Sequence, residues 1–238
     1  MTQQVLVAGG TSGIGLATAH AFAARGFAVT VTGRDQARID KAGLPGVVAD
    51  AATDEGALAT FGGGARYDHL VLALGGSLGA GPLAQLDLGQ LRAAFEGKFW
   101  PHLRLLRAAL PHLAGAASVT IVSASSARAA LPGTAGLAAL NGALEALVGP
   151  LSVELAPVRV NAVSPGVIDT PWWDGLAAAD REALFASFAA ALPAGRVGRA
   201  EEVAEAIVAL ATNGYITGTV LPVAGGVQLA TGAPSSSR

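Results

Sequence analysis

The sequence contains no cysteine, so neither a disulfide framework nor a thiolate nucleophile is open to it. Charged residues make up only 13% of the chain and aromatics 5%, whereas 52% of residues are apolar; this excludes an intrinsically disordered chain and allows a sizeable core. Fifteen basic residues against seventeen acidic ones leave a formal charge of −2, with no block of like charge. That balance argues against nucleic acid or an anionic membrane surface as a partner. The four histidines (His20, His69, His102 and His112) show no metal-ligand spacing, so no metal is expected. Leu70–Leu86 carries no charge, but its glycines and Pro82 break it up, so it is a poor membrane span. The opening MTQQVLVAGG lacks the basic stretch of a signal peptide. The expectation is one domain spanning residues 1–238, cytoplasmic, with Thr231–Arg238 a loose tail. One further gap matters most: no tyrosine occurs between Tyr67 and Tyr215.

What is present is an alternation of short β-branched runs and longer helical stretches. Val5–Ala8, Ala28–Thr32, Gly46–Ala49, His69–Ala73, Ser118–Val122, Arg159–Val163 and Thr219–Val223 read as buried strands. Helical patterns fall near 14–25, 54–60, 87–113, 134–156 and 200–211. Such alternation predicts an α/β fold: a doubly wound, Rossmann-type parallel sheet of about seven strands with helices on both faces. Residues 172–193 form a long insertion over the carboxyl ends of the strands, where ligands bind in this architecture, and are expected to be a substrate loop.

VLVAGGTSGIG places Gly9, Gly13 and Gly15, with Thr11, Ser12 and Ile14 between them, directly after the first strand and at the start of a helix. Glycines there let the backbone turn sharply and bring a pyrophosphate to the helix N-terminus. Arg34 stands at the tip of the second strand with Asp35 behind it. A cation at that tip suits the 2′-phosphate of NADP, so NADP(H) is favoured over NAD(H). Asp50, ending the third strand, is either an acceptor for the adenine amino group or a turn residue.

With these motifs in order, the chain from about residue 4 to 229 resembles the short-chain dehydrogenase/reductase family. The family's Thr-Gly-x-x-x-Gly-x-Gly pattern is matched by Ala8-Gly9-Gly10-Thr11-Ser12-Gly13-Ile14-Gly15, and LSVELAPVRVNAVSPGVIDTP is similar to its most recognisable stretch. The resemblance implies that Pro165 and Gly166 close over a nicotinamide, that Ile168 lies against the ring, and that Thr170 contacts the carboxamide. YITGTVLPVAGG resembles the closing strand, although an Asp is usual where Ala224 stands.

The resemblance fails where the chemistry should be. The family protonates its substrate oxygen with a Tyr, one helical turn ahead of a Lys, assisted by a Ser and by an Asn that holds a water. Ungapped register from ELAPVRVNAVSPG puts Leu137 at the Tyr position and Asn141 at the Lys position. Counting back from Pro111 puts Lys98 at the Asn position, and only Ser126, with Ser125 beside it, matches. Where relatives read Asn-Asn-Ala-Gly, this chain reads Leu72-Ala73-Leu74-Gly75.

Lys98 is thus either a substitute acid, its pKa lowered by partial burial, or a lysine on a helix surface or interface. Arg128 is the other cation near Ser126, and His102 reads as a packed helical histidine. Asn141 either bonds the nicotinamide ribose or is a neutral replacement. Trp172 and Trp173 line an apolar substrate pocket or pack into a core or interface.

Three functions remain open. One is an atypical NADP(H)-dependent oxidoreductase acting on a small carbonyl, imine or activated alkene, with a non-standard proton source. Another is an inactive dinucleotide-binding regulator or structural subunit. The third is a cofactor-independent lyase or isomerase. Because relatives associate through helices equivalent to 87–113 and 134–156, a homo-oligomer, dimer or tetramer, is expected.

Overall fold

The structure is a computed structural model and describes residues 2–76 and 78–229. Seven parallel strands form the central sheet: β1 (Gln4–Ala8), β2 (Ala28–Gly33), β3 (Gly46–Val48), β4 (Tyr67–Leu72), β5 (Leu113–Val122), β6 (Arg159–Pro165) and, last in the chain, β9 (Val220–Val223). Between them lie α1 (Gly13–Ala23), α2 (Gln36–Ala42), α3 (Asp54–Ala59), α4 (Leu88–Ala94), α5 (Trp100–Ala109), α6 (Ala135–Ala146) and α7 (Val148–Glu154). A minor two-stranded pair, β7 (Ile168–Asp169) with β8 (Gly198–Arg199), brackets α8 (Ala178–Ala191); α9 (Ala200–Thr212) precedes β9. Strand order is β3-β2-β1-β4-β5-β6-β9. The chain therefore reverses direction across the sheet between β1 and β4, opening a crevice at their carboxyl ends.

Strand alternation explains the two helical layers. In β1, Val5 and Val7 face a core built with Ala19 and Phe22 of α1 and Val203 and Ile207 of α9. Leu6 and Ala8 point the other way, onto Leu105 and Leu106 of α5 and Leu144 and Val148 of α6 and α7. β1, buried on both faces, accordingly reads Val-Leu-Val-Ala with no polar alternation. Phe22 is fully buried, edge-on to Phe27 at 5.2 Å and stacked on His69 at 5.8 Å. Phe22→Ala is expected to cost about 3–5 kcal/mol, because a cavity opens between α1 and the sheet; urea unfolding measures it.

Several expectations are corrected. The stretch near 87–113 is not one regular helix: α4 and α5 are joined by a π-helical segment, Phe95–Phe99, and followed by a 3₁₀ turn, Leu110–His112. β5 begins at Leu113, five residues earlier than Ser118. The helix α2 was not expected; Asp35 caps it through Ala37 N, and Gly43, at φ +68°, ends it. Most of the insertion at 172–193 is helical, a 3₁₀ turn at Pro171–Trp173 followed by α8. None of the residues of α8 is fully buried; its Leu184, Phe185 and Phe188 are half-buried, and Phe188 packs on the cluster of Ala129, Leu192, Ala224 and Val227. The expected tail at 231–238 lies outside the described residues. By length and hydropathy Ala135–Glu154 is apolar enough to cross a membrane, yet Leu140, Leu144 and Val148 within it are buried in the protein core.

Candidate active site

The loop from β1 to α1 packs back on the end of β4. A Cβ on Gly9, which has φ +76°, would lie 2.5 Å from Ala73 O, and one on Gly15 would lie 2.2 Å from Gly9 O. Glycine at both positions is therefore a steric requirement, and it leaves the backbone bare in front of α1. Ser12, the residue before α1, makes no side-chain cap, which leaves first-turn N–H groups available to an anion. Thr11 packs against Gly33, and Ile14 against the core. Arg34 is exposed beyond β2, with no side-chain partner among the described residues. Asp50 accepts a hydrogen bond from Ala52 N at 3.0 Å, so one of its oxygens serves a turn.

Across the crevice, Pro165 ends β6. Gly166 N donates to Val223 O at 3.0 Å, and a Cβ on Gly166 would stand 2.7 Å from Ala224 Cα. Thr170 approaches the glycine loop: an ideal Cβ on Gly13 would be 3.5 Å from its Cβ. Ile168 packs inward against Gly198. The bare glycine cradle, the uncapped helix start and the exposed Arg34 beyond β2 fit a dinucleotide, including one carrying an extra phosphate.

At the carboxyl ends of β5 and β6, side chains from three elements converge. Lys98 lies in the π-helical segment, a feature frequent at functional sites. It is 8% exposed; the reading of a surface lysine is thereby corrected, because the π turn directs it inward. Its Nζ donates to Asn141 Oδ1 at 2.7 Å and to Ser123 O at 3.3 Å. An ammonium has no acceptor, so this contact fixes the Asn141 amide with its oxygen toward Lys98. Asn141 Nδ2 then donates to Ser126 Oγ at 3.1 Å and to Leu137 O at 3.0 Å. Ser126 Oγ finds no acceptor among the described residues, so its own proton is free for a ligand. Burial pulls the Lys98 ammonium down to about 8. His102, one turn on, is held to about 4 by burial and by the Lys98 charge, and is neutral at pH 7; it packs with Nδ1 2.7 Å from Lys98 O.

Beneath this array sits a residue whose role the sequence reading missed. Glu145 falls one helical turn after Asn141, as Asn141 does after Leu137, so all three share one face of α6. The hydroxyls of Ser123 and Ser164 each donate to Glu145 Oε1 at 2.8 Å, and Arg128 Nε donates to Oε2 at 2.7 Å. Glu145 thereby ties the ends of β5 and β6 to the loop carrying Ser126. The i, i+4 spacing from Asn141 was the signal available in the sequence.

Two tryptophans form one wall. Trp172 Nε1 donates to Gly76 O at 3.1 Å, and a Cβ on Gly76 would be 3.6 Å from the Lys98 Cβ. Trp173 Nε1 donates to Ile168 O at 2.9 Å. The two rings meet edge-to-face at 4.4 Å, and Trp173 meets Phe185 of α8 at 5.6 Å. Neither tyrosine belongs here: Tyr67 begins β4 at the opposite end of the sheet, and Tyr215 is 98% exposed before β9. No cluster of His, Asp or Glu able to hold a metal occurs among the described residues.

The comparisons agree with this architecture. A family profile described as Enoyl-(Acyl carrier protein) reductase matches residues 8–228. The cis-4-hydroxycyclohexanecarboxylate dehydrogenase of Sinomonas cyclohexanicum is 35% identical over 93% of this chain and 94% of its own. A small-chain dehydrogenase solved in complex with NADPH superposes with a TM-score of 0.88 at 33% identity, over 97% of this chain and all of that one. MalC, a reductase/Diels-Alderase from Malbranchea aurantiaca, superposes with a TM-score of 0.86 at 26% identity, over 96% of this chain and 97% of its own. With the seven-stranded sheet and the glycine loop on β1, these matches show that the chain belongs to the short-chain dehydrogenase/reductase family.

Proposed function

We propose that the protein is an NADP(H)-dependent oxidoreductase for a small organic substrate, and that Lys98, Asn141 and Ser126 take the place of the family's tyrosine–lysine pair. The observation that carries this is the continuous hydrogen-bonded chain from a buried ammonium to a serine hydroxyl with a free proton. A nicotinamide, when bound, supplies or accepts the hydride. The protein's own part is positional and electrostatic. Gly9, Gly13 and Gly15 admit the pyrophosphate, Arg34 meets the 2′-phosphate, Asp50 offers its second oxygen to the adenine amino group, and Pro165, Gly166 and Thr170 bound the nicotinamide. Ser126 donates to the substrate oxygen, and the fixed Lys98 charge favours negative charge there without reorganising. Trp172 and Trp173 exclude water from one side. The partners are small molecules and a second copy of the chain, with neither nucleic acid nor membrane involved, in the cytoplasm. Exposed Trp100, Leu110 and Val153 lie along the two helical stretches expected to pair, which supports a dimer or tetramer.

Calorimetric titration with NADPH and NADH tests the reading. NADPH is expected to bind at least tenfold more tightly, about 1.4 kcal/mol, and Arg34→Ser to erase the difference. No binding of either dinucleotide would overturn the proposal. Leu137 favours one rival, a dinucleotide-binding regulator without turnover, since a hydrocarbon stands where the family's acid would be. NADPH binding without consumption across a panel of ketones, imines and enones would establish that rival instead.

A further inference from the structure

We infer that Glu145 is a positioning residue for the reaction: its carboxylate closes a ring of hydrogen bonds that keeps Lys98 and Ser126 in register with each other and with the turn at Pro165–Gly166. This rests on the oxidoreductase reading above and adds to it a group that acts only through its neighbours.

The ring is continuous. Lys98 Nζ donates to Asn141 Oδ1 at 2.7 Å, and Asn141 Nδ2 donates to Ser126 Oγ at 3.1 Å. Ser126 lies in the 3₁₀ turn Ser125–Ala127, and Arg128 closes that turn with its backbone N–H on Ser125 O at 2.9 Å. Arg128 Nε then donates to Glu145 Oε2 at 2.7 Å. On the other side Ser123 Oγ donates to Glu145 Oε1 at 2.8 Å, and Ser123 O accepts from Lys98 Nζ at 3.3 Å, where the ring began. Asn141 and Glu145 stand one turn apart on α6, so one helix face supplies both rungs. Only an acceptor-only side chain fits the Glu145 position. Three donors aim at it: Arg128 on one oxygen, Ser123 and Ser164 on the other. An amide of the same shape would turn its NH₂ on Arg128 or on the serines, and one side of the ring would open. The side chain is 8% exposed, so water is a poor substitute for a lost partner.

The two serines give the carboxylate its reach. Ser164 donates to Oε1 at 2.8 Å, and the next residue is Pro165, which ends β6 ahead of Gly166. Ser123 has one proton and two acceptors, Glu145 Oε1 at 2.8 Å and Val163 O at 3.2 Å. The nearer, charged acceptor takes it. Glu145 therefore acts on Lys98 at one remove, through the residue whose carbonyl accepts from the ammonium. His102, the other titratable group packed on Lys98, is held to about 4 and is neutral at pH 7. Arg128, the remaining cation of the ring, is already paired with Glu145. A nearby negative charge and a well-aimed acceptor both favour the ammonium, so loss of the carboxylate makes Lys98 easier to deprotonate.

Lysine NMR of the dinucleotide-free protein tests this without turnover. Glu145→Gln is expected to move the Lys98 titration midpoint about half a pH unit or more below that of the parent, and Ser123→Ala to move it in the same direction. Both act on one path, so the double variant should move it no further than the larger single shift. A purely structural role would lower the denaturant midpoint and leave the Lys98 titration in place. In turnover with NADPH, on whichever ketone, imine or enone the parent reduces, Glu145→Gln is expected to lose about tenfold or more in kcat, with KM and NADPH affinity within about twofold of the parent. An unmoved Lys98 midpoint in the single variants, additive shifts in the double, or a loss confined to KM would overturn the inference. Should Glu145→Gln fail to fold, an unmoved midpoint in Ser123→Ala overturns it alone. Failure of the parent to bind NADPH defeats instead the functional reading on which the inference rests, and the Lys98 titration still decides whether Glu145 sets the array.

Discussion

In the Lys98→Met protein, turnover is expected to fall roughly a hundredfold while the fold stays within about 2 kcal/mol of the parent, as steady-state kinetics and urea unfolding would measure. The first number is what loss of a pre-set charge at a developing oxyanion costs. The second is a near-cancellation. Burying the ammonium lowers its pKa from 10.5 to about 8, a penalty on the order of 3 kcal/mol for the charged form. Methionine removes that penalty but leaves Asn141 Oδ1 and Ser123 O unpaired, a cost of about 1–3 kcal/mol for each polar group. The pH dependence gives the prediction a signature. Below about pH 8 the ammonium is present in both folded and unfolded chains, and the burial penalty is fully felt. Between about 8 and 10.5 the unfolded chain still binds the proton that the folded one has lost, so stability rises with pH. Activity is expected to move the other way, declining above about pH 8 as the charge disappears. His102 is already neutral throughout this range, and Glu145 bonds to Ser123 and not to Lys98. The chain has two lysines, and the other, Lys41, is exposed on α2, so lysine NMR resolves the titration directly. Rate and denaturant midpoint rising together above pH 8 would refute the assigned role.

A protein carrying Leu137→Tyr, Asn141→Lys and Lys98→Asn together is expected to gain reduction of simple ketones by about 10²–10⁴-fold, the contribution of a positioned general acid. The argument is geometric. Residues 137 and 141 share one face of α6, one turn apart. Lys98 Nζ and Asn141 Oδ1 already touch at 2.7 Å, so exchanging ammonium and amide keeps one cation and one amide in the same cavity. The single change Leu137→Tyr should achieve far less, because the cation would stay behind the Asn141 amide. Comparing kcat for cyclohexanone in the single and triple variants measures this. A triple variant that folds, binds NADPH and remains inactive on ketones would show that the exchange does not define the chemistry.

How much of this was legible beforehand depended on whether a signal was local. β1, β2, β4, β6 and β9 lay within a residue or two of the expected runs, because short stretches rich in Val, Ile and Thr mark buried strands even where polar residues such as Thr30 and Asn161 interrupt them. The glycine loop was equally plain, since each glycine answers a local steric demand. α8 carries only a half-buried face, Leu184, Phe185 and Phe188, set among alanines that blur its period. The position of Lys98 could not be read from its neighbours at all. Whether it faced solvent or the crevice depended on a π turn and on where α6 crosses that segment. Glu145 was visible as the one ionisable side chain in GLAALNGALEAL, but its partners come from β5, β6 and the loop after Ser126, far apart in sequence.

The paired indoles of Trp172 and Trp173 also make the protein its own optical probe. Two of its three tryptophans sit edge-to-face at the crevice wall, one of them bonded to Gly76 beside Lys98. Indole emission overlaps the near-ultraviolet absorption of a dihydronicotinamide, so a reduced cofactor seated in the crevice drains excitation from these rings, and an oxidised one does not. On the proposed function, the redox state of a bound dinucleotide is expected to register in the intrinsic emission, so that a single turnover is followed without label or coupled reaction.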